Sequence, residues 1–208
     1  MKQEEKTRIT YERILKAAIA EFGTKSYDSA SLNVICSENQ LSKGLVYHNF
    51  KNKDDLYLRC VELCFQTITA YLRSKPYNKN GSAQDRLREL LVRRQSFFEE
   101  NPYMANIFFG TMLQPPIHLL RELREIRREF DAFHLAYYQE QLTSMHLREG
   151  VTMEAALRYF SIFQDAFNGY YRSKFSEGGD FPLLVQEHEQ GLSSLLDILL
   201  YGIAKEPQ

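Results

Sequence analysis

Apolar residues recur at the 3.6-residue period of a helix in one segment of this chain after another, and no stretch alternates apolar with polar as a half-buried strand would. Tyr11, Ile14, Leu15, Ala18, Ile19 and Phe22 form the first stripe, which is expected to stop at Gly23. Leu56, Cys60, Leu63, Cys64, Ile68 and Leu72 form another over 53–74, followed by a break at 76–82, Pro-Tyr-Asn-Lys-Asn-Gly-Ser. Leu87, Leu90, Leu91, Phe97 and Phe98 mark a helix from Ala83 that ends at Asn101-Pro102. Short and long helices follow over 103–113 and 117–147, separated by Gln114-Pro115-Pro116. After Gly150, Ala156, Tyr159, Phe160, Phe163, Phe167 and Tyr170 predict a helix over 152–175, and Leu192, Leu195, Leu196, Leu199 and Ile203 predict the last over 184–203. The fold class is therefore all-α.

Two very short helices stand out. Ser31 can cap one that carries Leu32, Ile35 and Cys36 on a single face, and Ser42 can cap a second that begins at Lys43. A tight turn at Asn39-Gln40 between them makes a helix-turn-helix. In the second helix Leu41, Leu45 and Phe50 can anchor inward, which leaves Lys43, Tyr47 and His48 outward as potential donors to phosphate. Gly44 in its first turn costs roughly 1 kcal/mol of helix propensity relative to Ala, so close approach of another surface is the natural reason for it. Asn52 can cap the long helix behind, with Asp54 and Asp55 at the positive end of its dipole.

Composition constrains less. At 208 residues and 44% hydrophobic, the chain can bury a substantial core. It has no apolar run of about 18 residues, and its charged first residues are followed by no apolar stretch, so a cytoplasmic location without membrane contact is expected. Net charge is −1, but residues 1–60 hold ten Lys or Arg against eight Asp or Glu, and the remainder sixteen against nineteen. An excess of two cations leaves any DNA affinity to their placement and to dimerisation. Cys36, Cys60 and Cys64 suggest no disulfide framework, and the last two read as small buried residues, with a thiol sensor as the alternative. His118, His134, His146 and His188 form no paired metal motif, and no phosphate-cradling Gly-rich loop or nucleophile elbow is visible, so neither catalysis nor a cofactor is expected.

Residues 8–60 resemble the DNA-binding domain of the TetR family of bacterial transcriptional regulators. The resemblance is carried in order by Ile14-Leu15-Lys16-Ala17-Ala18 and Phe22, by Tyr27, Ser31 and Ile35, and by the run from Leu41 to Leu56. Ser26, Ala30 and the Asn39-Gln40 turn depart from the residues usual in that family, Gly, Thr and Ala-Gly. The resemblance implies a helix-turn-helix domain over 1–52, a connecting helix over 53–75, and a helical effector-binding and dimerisation domain over 76–208. It also implies a palindromic duplex operator contacted by Ser31, Ser42, Lys43, Gly44, Tyr47, His48 and Lys53, and a homodimer through the helices 152–175 and 184–203.

The same resemblance implies a small effector, expected to be apolar or aromatic, among the middle helices. Candidate walls are Phe97, Met104, Phe108, Phe109, Met112, Phe133, His134, Tyr137, Phe163, Gln164 and Phe167, although aromatic stripes at helical spacing are more often plain core. Asn106, His134, Gln164 and Asn168 interrupt apolar faces and need partners, which a ligand or a neighbouring helix could supply. The expected function is a ligand-released repressor. An activator, or a DNA-bound protein-interaction module without an effector, are the alternatives.

Overall fold

The computed structural model describes residues 3–74, 77–78 and 80–203. Among these residues every regular element is helical: α1 (Gln3–Thr24), α2 (Leu32–Glu38), α3 (Lys43–Asn49), α4 (Lys53–Ser74), α5 (Ala83–Glu100), α6 (Pro102–Leu113), α7 (Leu120–Thr143), α8 (Met153–Ser176) and α9 (Phe181–Ile203), with a 3-10 turn at Ile117–Leu119. The all-α expectation is thereby met. None of the described helices is long and apolar enough to cross a membrane. The expected break at 76–82 lies partly outside the described residues, since 75, 76 and 79 are not among them.

Several boundaries differ from the periodicity, three of them for a clear local reason. α1 continues through Gly23 to Thr24, whose hydroxyl donates to the Ala20 carbonyl at 2.9 Å. α7 stops at Thr143 because the Ser144 and Met145 amides turn back to the Gln141 and Leu142 carbonyls, both at 3.1 Å, tightening the last turn. α9 begins at Phe181 because Asp180 accepts from the Leu183 N–H at 3.0 Å, and Pro182 suits a first turn that needs no donor from it.

The chain forms two compact units. The first runs to Thr67 and takes in Phe98–Arg127; the second comprises Ile68–Phe97 and residues from Arg128 onward. In the first, α1 packs on α2 and α6, and the core includes Ile14, Ala18, Ile35, Leu56, Val61 and Phe109. α6 is buried almost all round, through Ala105, Ile107, Phe108, Phe109, Met112 and Leu113. Cys60 and Cys64 are buried on α4, and burial pushes both thiols up, Cys64 to about 12, so they are protonated small core residues here.

In the second unit α8 packs on α9, and Leu87, Leu90, Phe97, Phe130 and Leu142 are core. The buried side of α8 is Ala156, Phe160 and Tyr171. Tyr159, Ile162, Phe163 and Tyr170 of α8 are exposed, as are Ile198, at 68%, and Tyr201 on α9.

The turn between α2 and α3 needs a left-handed residue, and Gln40 supplies it at φ 52°. Asn39 instead keeps a negative φ and donates from its amide to the Ile35 carbonyl at 3.1 Å, while Arg13 of α1 donates to the Asn39 carbonyl at 3.0 Å. A Cβ in that conformation costs about 1 kcal/mol. Gln40→Gly should therefore stabilise the protein by about 1 kcal/mol, which is about 2–4 °C in thermal midpoint at this size. An unchanged or lowered midpoint in a calorimetric scan would show that Gln40 carries no strain.

Candidate nucleic-acid interface

α3 is seven residues long, so its orientation depends on what stands behind it. Ser42, extended at φ −74° and ψ 144°, accepts the Leu45 N–H at 3.2 Å and starts the helix. Val46, at 1% exposure, seats it, together with buried Leu41 and Phe50, and Phe50 stacks on Tyr11 of α1 at 5.1 Å. Leu45 is only half-buried. Val46 is the anchor that sequence reasoning missed, because two turns of helix hold too few residues for a period to distinguish adjacent apolar positions.

The outer side of α3 then carries Lys43, Gly44, Tyr47 and His48, all exposed, with Tyr47 at 55%. A Cβ at Gly44 would meet nothing within 4 Å, so the protein's own packing does not demand a glycine there. Lysine, tyrosine and histidine in such a row all donate to phosphate oxygens, and the bare Gly44 backbone lets a partner approach closely.

Ser31 caps the start of α2. Its hydroxyl accepts the Asn33 N–H at 3.2 Å, and its own N–H donates to Glu21 Oε1 at 2.9 Å. Glu21 is buried and receives Lys25 Nζ at 2.9 Å, which makes it a strut from α1 to the start of α2. A lone carboxylate on α1 gave no sequence signal for that role.

Lys53 opens α4. Its ammonium lies 4.5 Å from the centroid of the Tyr27 ring and donates to the Asp28 carbonyl at 3.3 Å. The Tyr27 hydroxyl donates to Asp54, and His118 Nε2 lies 3.3 Å from the same carboxylate oxygen. Burial, and then the Asp54 carboxylate, raise the Tyr27 hydroxyl well above its ordinary range. The hydrogen bond from Tyr27, ahead of those from His118 and the charge of Lys53, holds Asp54 below the usual carboxylate value.

The effector candidates divide between the units. Met104, Phe108, Phe109 and Met112 belong to the first, where Phe108 and Phe109 meet edge to face at 5.3 Å. Phe97, Phe133, His134, Tyr137, Phe163, Gln164 and Phe167 belong to the second. There Phe97, His134 and Tyr137 are buried, Phe133, Gln164 and Phe167 are half-buried, and Phe163 is 43% exposed on the outer side of α8. Of the polar residues that interrupt apolar faces, three have internal partners. Asn106 donates to the Gly23 carbonyl at 2.7 Å, His134 Nδ1 lies 2.9 Å from the Phe130 carbonyl, and Asn168 Oδ1 lies 2.9 Å from His188 Nε2.

Comparison with known proteins agrees with this geometry. The profile of the bacterial regulatory proteins of the tetR family matches residues 14–60. The transposon Tn10 TetC protein of Escherichia coli is 33% identical over 79 residues, 38% of this chain and 40% of that protein. The HTH-type negative transcriptional regulator IcaR of the biofilm operon icaADBC, from Staphylococcus epidermidis, is 31% identical over 61 residues, 29% of this chain and 33% of its own. These matches span well under half of either relative.

Likeness in fold extends over nearly the whole chain. A TetR family transcriptional regulator from Chloroflexus aurantiacus superposes with a TM-score of 0.63 at 22% identity, covering 96% of this chain and 95% of that one. The transcriptional regulator FadR from Bacillus subtilis, in complex with stearoyl-CoA, gives 0.62 at 17% identity over 93% and 99%. The ordered motif from Ile14 to Leu56, folded as a helix-turn-helix, thus carries the N-terminal signature of the bacterial regulatory proteins of the tetR family, and the chain as a whole shares the fold of solved regulators of that family.

Proposed function

We propose that the protein is a homodimeric transcriptional repressor that grips a palindromic duplex operator and releases it when a small apolar or aromatic molecule binds. The observation that carries this reading is the exposed row Lys43, Gly44, Tyr47 and His48 on a helix seated from behind by Val46. Lys43 and Gly44 press on the groove, Tyr47, His48 and Lys53 hold phosphates, and Ser31 and Ser42 stand at the helix starts beside the backbone. Residues 1–52 act as the reading head, 53–75 as the connecting helix and 76–208 as the regulatory part, working in the cytoplasm.

Dimerisation uses the outward aliphatic and aromatic side of α8 and α9, where Tyr159, Ile162, Phe163, Tyr170, Ile198 and Tyr201 would otherwise face water. An effector among Phe97, Phe133, His134, Tyr137, Gln164 and Phe167 would meet a largely apolar, ring-rich interior. The acyl chain of the stearoyl-CoA held by the Bacillus subtilis FadR is apolar, which favours that ligand class.

The test is selection of a binding site from a random duplex pool, followed by anisotropy titrations. Tyr47→Ala should weaken selected and random duplexes alike. Lys43→Ala should also lower the slope of log affinity against log salt by about 1, as expected for the loss of one phosphate contact. If the wild type enriches no sequence, or if both variants bind as it does, the reading fails.

A further inference from the structure

We propose that His118 is a positioning residue for the DNA grip: from the turn between α6 and α7 it locks Asp54 and the Tyr27 ring, and that ring seats the Lys53 ammonium. The inference rests on the reading of Lys53 as a phosphate contact. His118 lies in the 3-10 turn Ile117–Leu119, directly after Pro115-Pro116, and its ring is 56% exposed on the side-chain scale, so burial does little to place it. What places it is Nε2 at 3.3 Å from Asp54 Oδ1 and a ring centroid 5.6 Å from that of Tyr27. Asp54 also accepts the Tyr27 hydroxyl, and the Tyr57 ring meets Tyr27 nearly edge-on at 4.9 Å. The Tyr27 ring is thus held at its hydroxyl, against Tyr57 and against His118.

Lys53 depends on that ring. A lysine has a flexible four-carbon stem and loses affinity to rotamer freedom unless something pre-orders it. Here the ammonium sits over Tyr27 and spends one of its three N–H groups on the Asp28 carbonyl, which leaves the others for a phosphate. Asp54 alone would draw the neighbouring ammonium onto itself. With its Oδ1 shared by the Tyr27 hydroxyl and His118 Nε2, Asp54 draws less on the ammonium, and Lys53 stays on the ring. The charged and titratable groups around this cluster include Lys53, Asp54, Asp28, Tyr27, Tyr57 and His118, and all six lie in the first unit.

The experiment uses the full-length protein and the selected duplex, titrated over a range of salt. His118→Ala should weaken selected and random duplexes by about three- to tenfold, the effect of one hydrogen-bonded anchor. It should also lower the salt slope by up to about 0.9, the share of one phosphate contact. Lys53→Ala should do the same, and the double variant should bind no worse than Lys53→Ala alone, because both changes remove one contact. His118→Gln, whose amide can donate to Asp54, should recover most of the affinity and slope. A merely stabilising role would lower the thermal midpoint and leave the slope alone. The inference is overturned by a wild-type slope in His118→Ala, by additive losses in the double variant, or by tighter binding. A wild type that binds no duplex sinks the reading of Lys53 and this inference together, whereas normal wild-type binding with an unaffected His118→Ala sinks this inference only.

Discussion

Replacing Arg94 by Met should destabilise the second unit by about 3–5 kcal/mol at neutral pH, since it strands a buried carboxylate without its cation. Arg94 Nη2 lies 2.8 Å from Glu189 Oε1, with the two side chains only 6% and 9% exposed. The same carboxylate oxygen is 3.1 Å from His188 Nδ1, and His188 is buried between Glu189 and Asn168. Neutralising the carboxylate as well, in Arg94→Met with Glu189→Gln, should recover most of the loss, because removing both members of a buried pair is far less costly than removing one.

The pH dependence of that loss has a definite sign. Burial, assisted by the charge of Arg94 and opposed by Glu189, holds His188 below its ordinary value of 6.5. A histidine depressed in this way is neutral in the fold. Its contribution is complete above the unfolded-state value and is lost progressively as pH falls through that value toward the folded one. Without Arg94, one of the influences that keep His188 neutral is gone, and a protonated His188 can pair with the stranded Glu189. Denaturant titrations should therefore show the gap between wild type and Arg94→Met largest near about pH 8 and narrower near about pH 5.5. A gap that is flat or widens in acid would show that His188 does not sense Arg94.

Features that depend on neighbours in sequence could be read from the chain. Ser31 and Ser42 cap α2 and α3 as their spacing suggested, because capping is chemistry within three residues. The tight turn expected at Asn39-Gln40 is present too, and its left-handed residue is Gln40, since Asn39 uses its amide to finish α2. Periodicity placed the helices but not always their faces. α8 is aromatic on more than one side, and only tertiary packing decides that Phe160, which meets the Tyr138 ring of α7 at 5.5 Å, goes in and Phe163 goes out.

Roles created by residues far apart in the chain left no local trace. His118 and Asp54 are 64 positions apart, and nothing local to His118 points to Asp54 as its partner. Asn106, which read equally well as a ligand anchor, meets the Gly23 carbonyl from 83 positions away. Gly23 read from the sequence as a helix stop, yet α1 runs on through it to Thr24. Its actual constraint comes from α6, and no inspection of α1 alone would reveal it.

That constraint makes Gly23→Ala the second large effect. An added Cβ would lie 2.6 Å from Tyr103 Cβ, 2.7 Å from its Cα and 2.8 Å from its carbonyl oxygen. Ala is favoured over Gly in a helix by about 1 kcal/mol, which acts in the variant's favour. Against it stands overpacking, typically 1–3 kcal/mol and more where the obstructing atoms are backbone, since no side-chain rotation can relieve the overlap. α6 has to move off α1, and it is buried almost all round, so its shift is resisted by Ile107, Phe108 and Phe109; it also stretches the 2.7 Å bond from Asn106 to the Gly23 carbonyl. The steric term wins, and the net result should be a loss of about 2 kcal/mol, or about 4–8 °C in thermal midpoint. Truncating the facing side chain separates this cause from a general weakness at the site. Tyr103→Ala keeps all three offending atoms and should not rescue Gly23→Ala, whereas Tyr103→Gly removes the nearest of them and should rescue it in part. Equal rescue by both would place the obstruction in the tyrosine ring, and a stabilised Gly23→Ala would show that α1 and α6 are not in close contact at all.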